Sequence, residues 1–226
     1  MKGLVFHRYL YFVIATIATP LLAQVTHVVA TAAASDKVAS QNHANMDHSM
    51  HMKYMQQEGS YKVSHVNYVL PDTALKRMDG SSTTLGKVLH TSDGVMLNFI
   101  FTSCTSICPT MSAIFSAMDK RISASGKPIK LVSISIDPEF DTPKNLHKYA
   151  NKFHASNHWE FFTGKLEDII ELQKKMDAYR GNKMNHFPAT YIRHANSEEW
   201  LKIDGFIVAP ELEKQYEKLS VIEAAK

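Results

Sequence analysis

Hydrophobic residues beyond residue 60 alternate between short apolar runs and longer stretches in which they recur at helical spacing. The runs at 95–101 and 129–136 are typical of buried strands. Between these runs, apolar residues recur every three or four positions, which predicts a helix with one buried face. Those residues are Met111, Ile114, Phe115, Met118 and Ile122. Pro109 fits the first position of that helix.

The same alternation continues towards the C-terminus. It predicts helices over 143–153, 166–179 and 210–219, and strands over 159–162, 187–193 and 200–206. Asp141 or Thr142 would cap the helix that begins at residue 143, and the last two strands would form an antiparallel pair. Strands and helices in this order predict one α/β domain over 61–226, in which helices flank a central mixed sheet.

Residues 1–34 have the features of an export segment. Lys2 and Arg8 precede an apolar run at 10–23, no acidic residue is present, and small residues end at Ala34, as in a cleaved secretory signal. The stretch is also about long enough to cross a bilayer as an uncleaved membrane anchor. We expect an exported protein, either periplasmic or anchored in the inner membrane and facing the periplasm if its source is bacterial. The sequence leaves both cleavage and anchoring open.

Residues 35–60 lose the hydrophobic periodicity and predict a flexible linker. Within this linker, seven of thirteen consecutive positions are methionine or histidine, a segment called here the Met/His tract. Its ligand residues are His43, Met46, His48, Met50, His51, Met52 and Met55. Imidazole and thioether groups bind copper, and the thioether favours Cu(I). We therefore hypothesise auxiliary copper capture by this tract, and the alternative is a compositional accident in a linker.

Composition and charge exclude some classes of function. With 45% hydrophobic and 21% charged residues, the chain is typical of a globular protein. The formal net charge is only +3, and no basic stripe with interleaved aromatic residues is present. A nucleic-acid partner is therefore not expected.

The only two cysteines, Cys104 and Cys108, lie in the sequence FTSCTSICPTM, where the first buried strand ends and its helix begins. A disulfide between them would close too small a loop to restrict the unfolded chain much, so a chemical role is favoured over a structural one. At a helix N-terminus, unpaired N–H groups and the macrodipole lower the pKa of a thiol. Two thiols four residues apart would share one helix face, which suits either a disulfide or joint coordination of a metal ion.

A third ligand would complete such a metal site, and His186 is the best candidate. It leads into the predicted strand at 187–193. If that strand is antiparallel to the strand at 95–101, its start lies near the cysteines. The weaker candidates lie near a surface helix or in a hairpin turn, and they are His147, His154, His158 and His194.

Three sequence features resemble the SCO/SenC family over about residues 61–222. They are TSCTSICPTM, SISIDPEFDTPKNL at 133–146, and His186 ahead of TYI. The resemblance implies a thioredoxin-like fold and a copper site whose ligands are Cys104, Cys108 and His186. It also implies that the recipient of the copper is the binuclear copper centre of cytochrome c oxidase.

Two acidic residues fall in the D-P-x-x-D-T-P pattern of that family. Asp137 follows the strand at 129–136, on the edge where α/β domains collect functional groups. We therefore expect it to support the metal ligands without binding the metal, and turn formation is the alternative. For Asp141 we expect helix capping.

Two functional hypotheses follow. The first is a metallochaperone that delivers copper, as Cu(I) or Cu(II), to the copper-bearing subunit of cytochrome c oxidase or to another copper chaperone. The second is a thiol–disulfide oxidoreductase that reduces the cysteines of a copper-receiving partner, with Cys104 attacking, Cys108 resolving and an external thiol–disulfide reductant. Thiol peroxidase activity is disfavoured, because Phe101 stands where the peroxiredoxin pattern has a proline.

Overall fold

The computed structural model of the protein describes residues 61–195 and 197–224 and has an eight-stranded mixed sheet with helices packed against it. The export segment and the linker with its Met/His tract lie outside the described residues. The strands are β1 (Lys62–Asn67), β2 (Ala74–Arg77), β3 (Ser82–Thr84), β4 (Gly94–Ile100), β5 (Ile129–Ser135), β6 (Trp159–Gly164), β7 (Ala189–Arg193) and β8 (Glu199–Asp204). The helices are α1 (Leu85–Leu89), α2 (Ile107–Ser125), α3 (Pro143–Lys152), α4 (Leu166–Lys175) and α5 (Ala209–Ala224). The strand order is β1-β8-β7-β4-β5-β6-β2-β3, which confirms the predicted α/β class.

The centre of the sheet is parallel, because β4 pairs with β5 and β5 pairs with β6 in the same direction. Every residue of β4 is buried, which accounts for its continuous apolar run. Helix α2 connects β4 to β5, and all five hydrophobic residues predicted for its inner face are buried. It ends at Ser125, and the next residue, Gly126, has a φ of 66°, the left-handed conformation that glycine adopts easily.

In one half of the sheet, three chain segments meet at the same end of the strands. Strands β7 and β8 form the predicted antiparallel pair, and β7 also lies antiparallel to β4, with Asn98 opposite Thr190. On the far side, Lys62 at the start of β1 lies opposite Asp204, which in turn lies opposite Ala189. The end of β4, the start of β7 and the start of β1 therefore lie level with one another.

Two local predictions were wrong. Helix α2 begins at Ile107, so Pro109 occupies its third position and not its first. Proline is tolerated there because the N–H groups of the first turn have no partner within the helix. Of the two predicted caps of helix α3, Thr142 is confirmed, since its side chain accepts a hydrogen bond from the N–H of Asn145, and Asp141 is wrong. Asp141 makes no cap, because its carboxylate is fully buried and bonded elsewhere.

Aromatic rings fill the space between α2 and the sheet. The ring centroids of Phe115 and Trp159 are 5.8 Å apart, and those of Trp159 and Phe161 are 4.7 Å apart. All three side chains are completely buried. Burial of each ring stabilises the fold by about 2–3 kcal/mol, so this cluster anchors the helix that begins beside the cysteines. Among the described residues, no helix is both long enough and apolar enough to cross a bilayer.

Candidate metal centre

Both cysteines are free thiols at the junction between β4 and α2. Cys104 lies in the loop before the helix, is partly buried, and donates its backbone N–H to the carbonyl of Phe101 over 3.1 Å. Cys108 lies in the first turn of the helix and is only 1% exposed. The loop therefore presents one thiol to the surface and keeps the other beneath it.

The two thiols differ strongly in acidity because they share one hydrogen bond. The Cys108 thiol and the backbone N–H groups of Cys108, Ser106 and Ile107 stabilise the Cys104 thiolate, and these bonds lower the pKa of Cys104 to about 5. Ser106 is the N-cap residue but makes no side-chain cap bond, so the Cys104 sulfur takes the place of a capping oxygen. The same bond to Cys104, together with burial, raises the pKa of Cys108. Near neutral pH the pair holds one negative charge, located on Cys104.

His186 lies at the end of a 3₁₀ turn, Lys183–Asn185, three residues before β7. Its Nε2 lies 2.9 Å from the carbonyl oxygen of Phe99 in β4. Because a carbonyl only accepts, Nε2 carries the proton and Nδ1 holds the free lone pair. Nδ1 is buried and has no hydrogen-bond partner among the described residues. Burial lowers the pKa of His186, so the imidazole is neutral and competent to bind a metal.

Cys104 and His186 line the same pocket, which has a volume of about 150 Å³ and is also lined by Lys183 and Met184. Lys183 and Met184 were not predicted as site residues, although their positions three and two residues before His186 could have indicated them. In the described ranges, no three His, Cys, Asp or Glu side chains converge into a preassembled metal cluster. The structure therefore places the Cys104 thiol and the His186 imidazole on one pocket, and the buried Cys108 thiol is hydrogen-bonded to Cys104. The donor types, two sulfurs and one nitrogen with an unused lone pair, fit Cu(I).

Asp137 follows β5 and is almost fully buried at the same edge of the sheet. Its Oδ2 accepts a hydrogen bond from the Lys183 ammonium over 2.6 Å. Lys183 also lies over the ring of Phe101, 5.8 Å from its centroid, and opens the turn that leads to His186. Asp137 thus contacts the turn that carries the histidine, through an ion pair.

Asp141 has a structural role that the sequence reasoning missed. Its carboxylate accepts hydrogen bonds from the backbone N–H of Thr102 over 3.0 Å, from the Thr102 hydroxyl and from the Ser135 hydroxyl. Burial raises the pKa of this carboxyl, while the three donors oppose that shift. Because Thr102 lies two residues before Cys104, Asp141 fixes the start of the cysteine loop to β5. The signal available in the sequence was the second aspartate of the D-P-x-x-D-T-P pattern.

Comparison with known proteins decides the family. The family model described as SCO1/SenC matches residues 78–208, which include the cysteine loop, Asp137, Asp141 and His186. The chain belongs to the SCO1/SenC family. It is 33% identical over 107 residues to the SCO1 protein homolog of Bacillus subtilis, a match that covers 47% of this chain and 54% of that protein. The match thus spans about half the length of that relative.

Solved structures of Sco proteins share the fold. A SCO1/SenC family lipoprotein from Bacillus anthracis superposes with a TM-score of 0.60 at 23% identity, covering 70% of this chain and 98% of that one. BsSco, described as having a disulfide switch and as a member of the Sco family of cytochrome c oxidase assembly proteins, gives 0.59 at 25% identity, covering 70% and 96%. Arabidopsis thaliana ScoI with copper bound gives 0.56 at 26% identity, covering 67% and 97%. These similarities confirm the predicted thioredoxin-like fold of the SCO/SenC domain.

Proposed function

We propose that this SCO1/SenC protein is a copper metallochaperone that binds copper through the thiolates of Cys104 and Cys108 and the imidazole of His186. One observation carries the proposal: a stabilised Cys104 thiolate shares a pocket with a neutral histidine whose buried Nδ1 has no partner among the described residues. Soft thiolates suit Cu(I), and an imidazole suits either copper oxidation state. Three ligands would leave room for ligand exchange with a recipient.

The recipient that we propose is the binuclear copper centre of cytochrome c oxidase, on its copper-bearing subunit, with another copper chaperone as the alternative. Two similar proteins support this choice. The Arabidopsis thaliana structure contains copper, and BsSco belongs to a family of cytochrome c oxidase assembly proteins. We further propose an exported protein that acts in the periplasm, or from a membrane anchor facing it, because residues 1–34 have the pattern of a signal or anchor.

The Met/His tract is proposed to capture copper for the pocket. The start of β1 lies three strands from β4 at the edge that holds the cysteine loop. Three strand spacings amount to about 14 Å. Five residues lie between Met55 and Tyr61, and the six Cα-to-Cα steps that join these two residues span up to about 20 Å when extended. Copper transfer from the tract to the pocket therefore needs no more chain length than the sequence provides.

Thiol–disulfide exchange is a second candidate function, favoured by the unequal acidity of the two thiols. The Cys104 thiolate would attack one sulfur of a partner disulfide, forming a mixed disulfide and releasing one partner thiolate. Cys108 would then lose its proton and attack Cys104, which releases the second partner thiolate. The partner disulfide gains two electrons, and Cys104 and Cys108 become a disulfide that an external dithiol must reduce.

One mixing experiment distinguishes the two functions. The isolated copper-binding domain of the oxidase subunit is prepared in two copper-free forms, with its cysteines reduced and with them oxidised. A chaperone that carries Cu(I) transfers copper to the reduced form, measured as copper content after separation of the proteins. An oxidoreductase instead reduces the oxidised form, measured by alkylation of the new thiols and mass spectrometry. Transfer of neither copper nor electrons would overturn both proposals.

A further inference from the structure

Met184 is exposed in an unusual place. Among the described residues, four large hydrophobic side chains are exposed, and Met184 is 74% exposed. The other three are Val69, Phe140 and Leu166. Met184 is the member of this group that lines the pocket of Cys104 and His186. Single exposed apolar side chains are common on protein surfaces, but Met184 adds a thioether, a soft donor that Cu(I) accepts, to a pocket already lined by a thiol and an imidazole.

The backbone beneath Met184 is firmly held while its side chain is not. Its N–H donates to the side-chain oxygen of Asn182 over 2.8 Å, which caps the 3₁₀ turn. The N–H of His186 donates to the carbonyl of Lys183 over 3.1 Å, and Lys183 is in turn paired with Asp137. The thioether therefore extends from a fixed point at the pocket, two residues before His186.

The order of donors by depth suggests a route for the metal. Met184 is the outermost donor, Cys104 is partly buried, and Cys108 lies beneath at 1% exposure. The thioether sulfur is a neutral ligand for Cu(I) and carries no proton. A thiolate can therefore displace it from the metal without any proton transfer.

We propose that Met184 is the entrance ligand of the copper pocket, a metal-binding residue beyond the two cysteines and the histidine. Cu(I) arriving from a donor forms a bond to the Met184 sulfur as a bond to the donor ligand breaks, and the Cys104 thiolate then displaces the thioether. Copper remains Cu(I) throughout, so no electron donor or acceptor is needed. Release to a recipient follows the reverse order. This inference rests on the proposed copper-binding function.

The test uses the full chain in a tract-silent background, in which the four methionines of the Met/His tract are leucine and its three histidines are glutamine. Met184→Leu keeps a similar volume but removes the sulfur. The matched control is Met78→Leu, which changes a partly buried methionine outside the pocket. Cu(I) uptake from its bicinchoninate complex is followed by stopped-flow absorbance, and thermal unfolding checks that each variant is folded.

We expect Met184→Leu to slow Cu(I) uptake and release by at least about fivefold, equivalent to about 1 kcal/mol in the barrier, with Met78→Leu unchanged. Selenomethionine-labelled, tract-silent Cys104→Ser protein gives a direct readout, because no Cys104 thiolate can displace the thioether there. Copper–selenium scattering should be present in that variant and absent when Met184→Leu is added. The remaining described methionines are Met78, Met96, Met111, Met118 and Met176, and the last four are buried.

If the parent binds Cu(I) but Met184→Leu exchanges it equally fast, the inference is overturned and the proposed function stands. If the parent does not bind Cu(I), both are overturned.

Discussion

At the scale of single residues, the division of one negative charge between two thiols sets the chemistry of the site. Cys104 is stabilised as a thiolate by the Cys108 thiol and by N–H groups at the start of α2, whereas Cys108 is buried and kept protonated. A thiolate is both a metal ligand and a nucleophile. The same hydrogen bond therefore serves copper binding and thiol–disulfide exchange alike.

The first prediction concerns the pH dependence of Cys104 alkylation. Alkylation by iodoacetamide requires the thiolate, so its rate in the reduced protein should rise with a midpoint near pH 5, the pKa of Cys104. In Cys108→Ala the largest stabilising hydrogen bond is lost, and the midpoint should move up towards the ordinary thiol value of about 8.5. Mass spectrometry of quenched time points measures the rate. A parent midpoint above pH 8, or no upward shift in Cys108→Ala, would contradict this account.

The second prediction concerns the buried carboxylate of Asp141. Asp141→Ala leaves the N–H and hydroxyl of Thr102 and the hydroxyl of Ser135 without their acceptor. Unsatisfied buried donors should lower the free energy of unfolding by about 2–4 kcal/mol. Denaturant unfolding measures the loss, and Asp141→Asn, which keeps one oxygen, should lose less. The exposed Glu139→Ala on the same loop is the control and should change stability by less than about 0.5 kcal/mol. Equal losses in Asp141→Ala and Glu139→Ala would refute this role.

At the scale of elements, the sequence signal is strong where strands are buried and weak where they are not. Strand β4 is buried along its whole length, so its apolar run predicted it within one residue. The missed strands β1, β2 and β3 lie at the ends of the sheet, and Leu75 is their one buried residue, so their patterns lack a hydrophobic run. Helix α1 was also missed, because its five residues are too few to establish a helical period.

The third prediction concerns the contact between β4 and α5. A Cβ at Gly94 would lie 2.3 Å from atoms of the Tyr216 ring in α5, too close for any side chain. Gly94→Ala should therefore displace Tyr216 and lower the free energy of unfolding by about 1–3 kcal/mol. Ser92→Ala, on the exposed loop two residues earlier, should be almost neutral. Thermal and denaturant unfolding of both variants measure the difference, and an equally stable Gly94→Ala would show that α5 packs less closely on β4.

At the scale of the whole molecule, topology assembles the site. Antiparallel pairing of β7 with β4 brings residues 82 positions apart, Cys104 and His186, to one pocket. The sequence predicted this placement, because alternating strands and helices define the edge at which strands end. It did not predict the orientation of His186, since the hydrogen bond from Nε2 to Phe99 depends on backbone positions that no pattern encodes. The ion pair of Lys183 with Asp137 was missed for the same reason.

The fourth prediction concerns the Met/His tract and the copper stoichiometry of the full chain. The parent should bind more than one Cu(I) per chain, and the tract-silent chain should bind one, because only the pocket remains. Anaerobic titration with a Cu(I) chelator, followed by metal analysis of the protein, gives both values. The double variant Cys104→Ser/Cys108→Ser is the opposite control, because it removes both thiolates and keeps the Met/His tract. It should bind only the copper that the tract holds. Equal stoichiometry in the parent and tract-silent chains would refute copper capture by the tract.

The most direct test of the central claim is the Cu(I) affinity of the reduced, tract-silent full chain, compared with that of its His186→Ala variant by chelator competition. Loss of one of three ligands should weaken binding by at least about tenfold, or about 1.4 kcal/mol. His147→Ala, which removes an exposed histidine of α3, is the matched control and should bind as the parent does. Tight one-to-one binding weakened only by His186→Ala is the result predicted here. Weak binding by the parent, or affinity indifferent to His186, would contradict the three-ligand site and leave thiol–disulfide exchange as the function of the two cysteines.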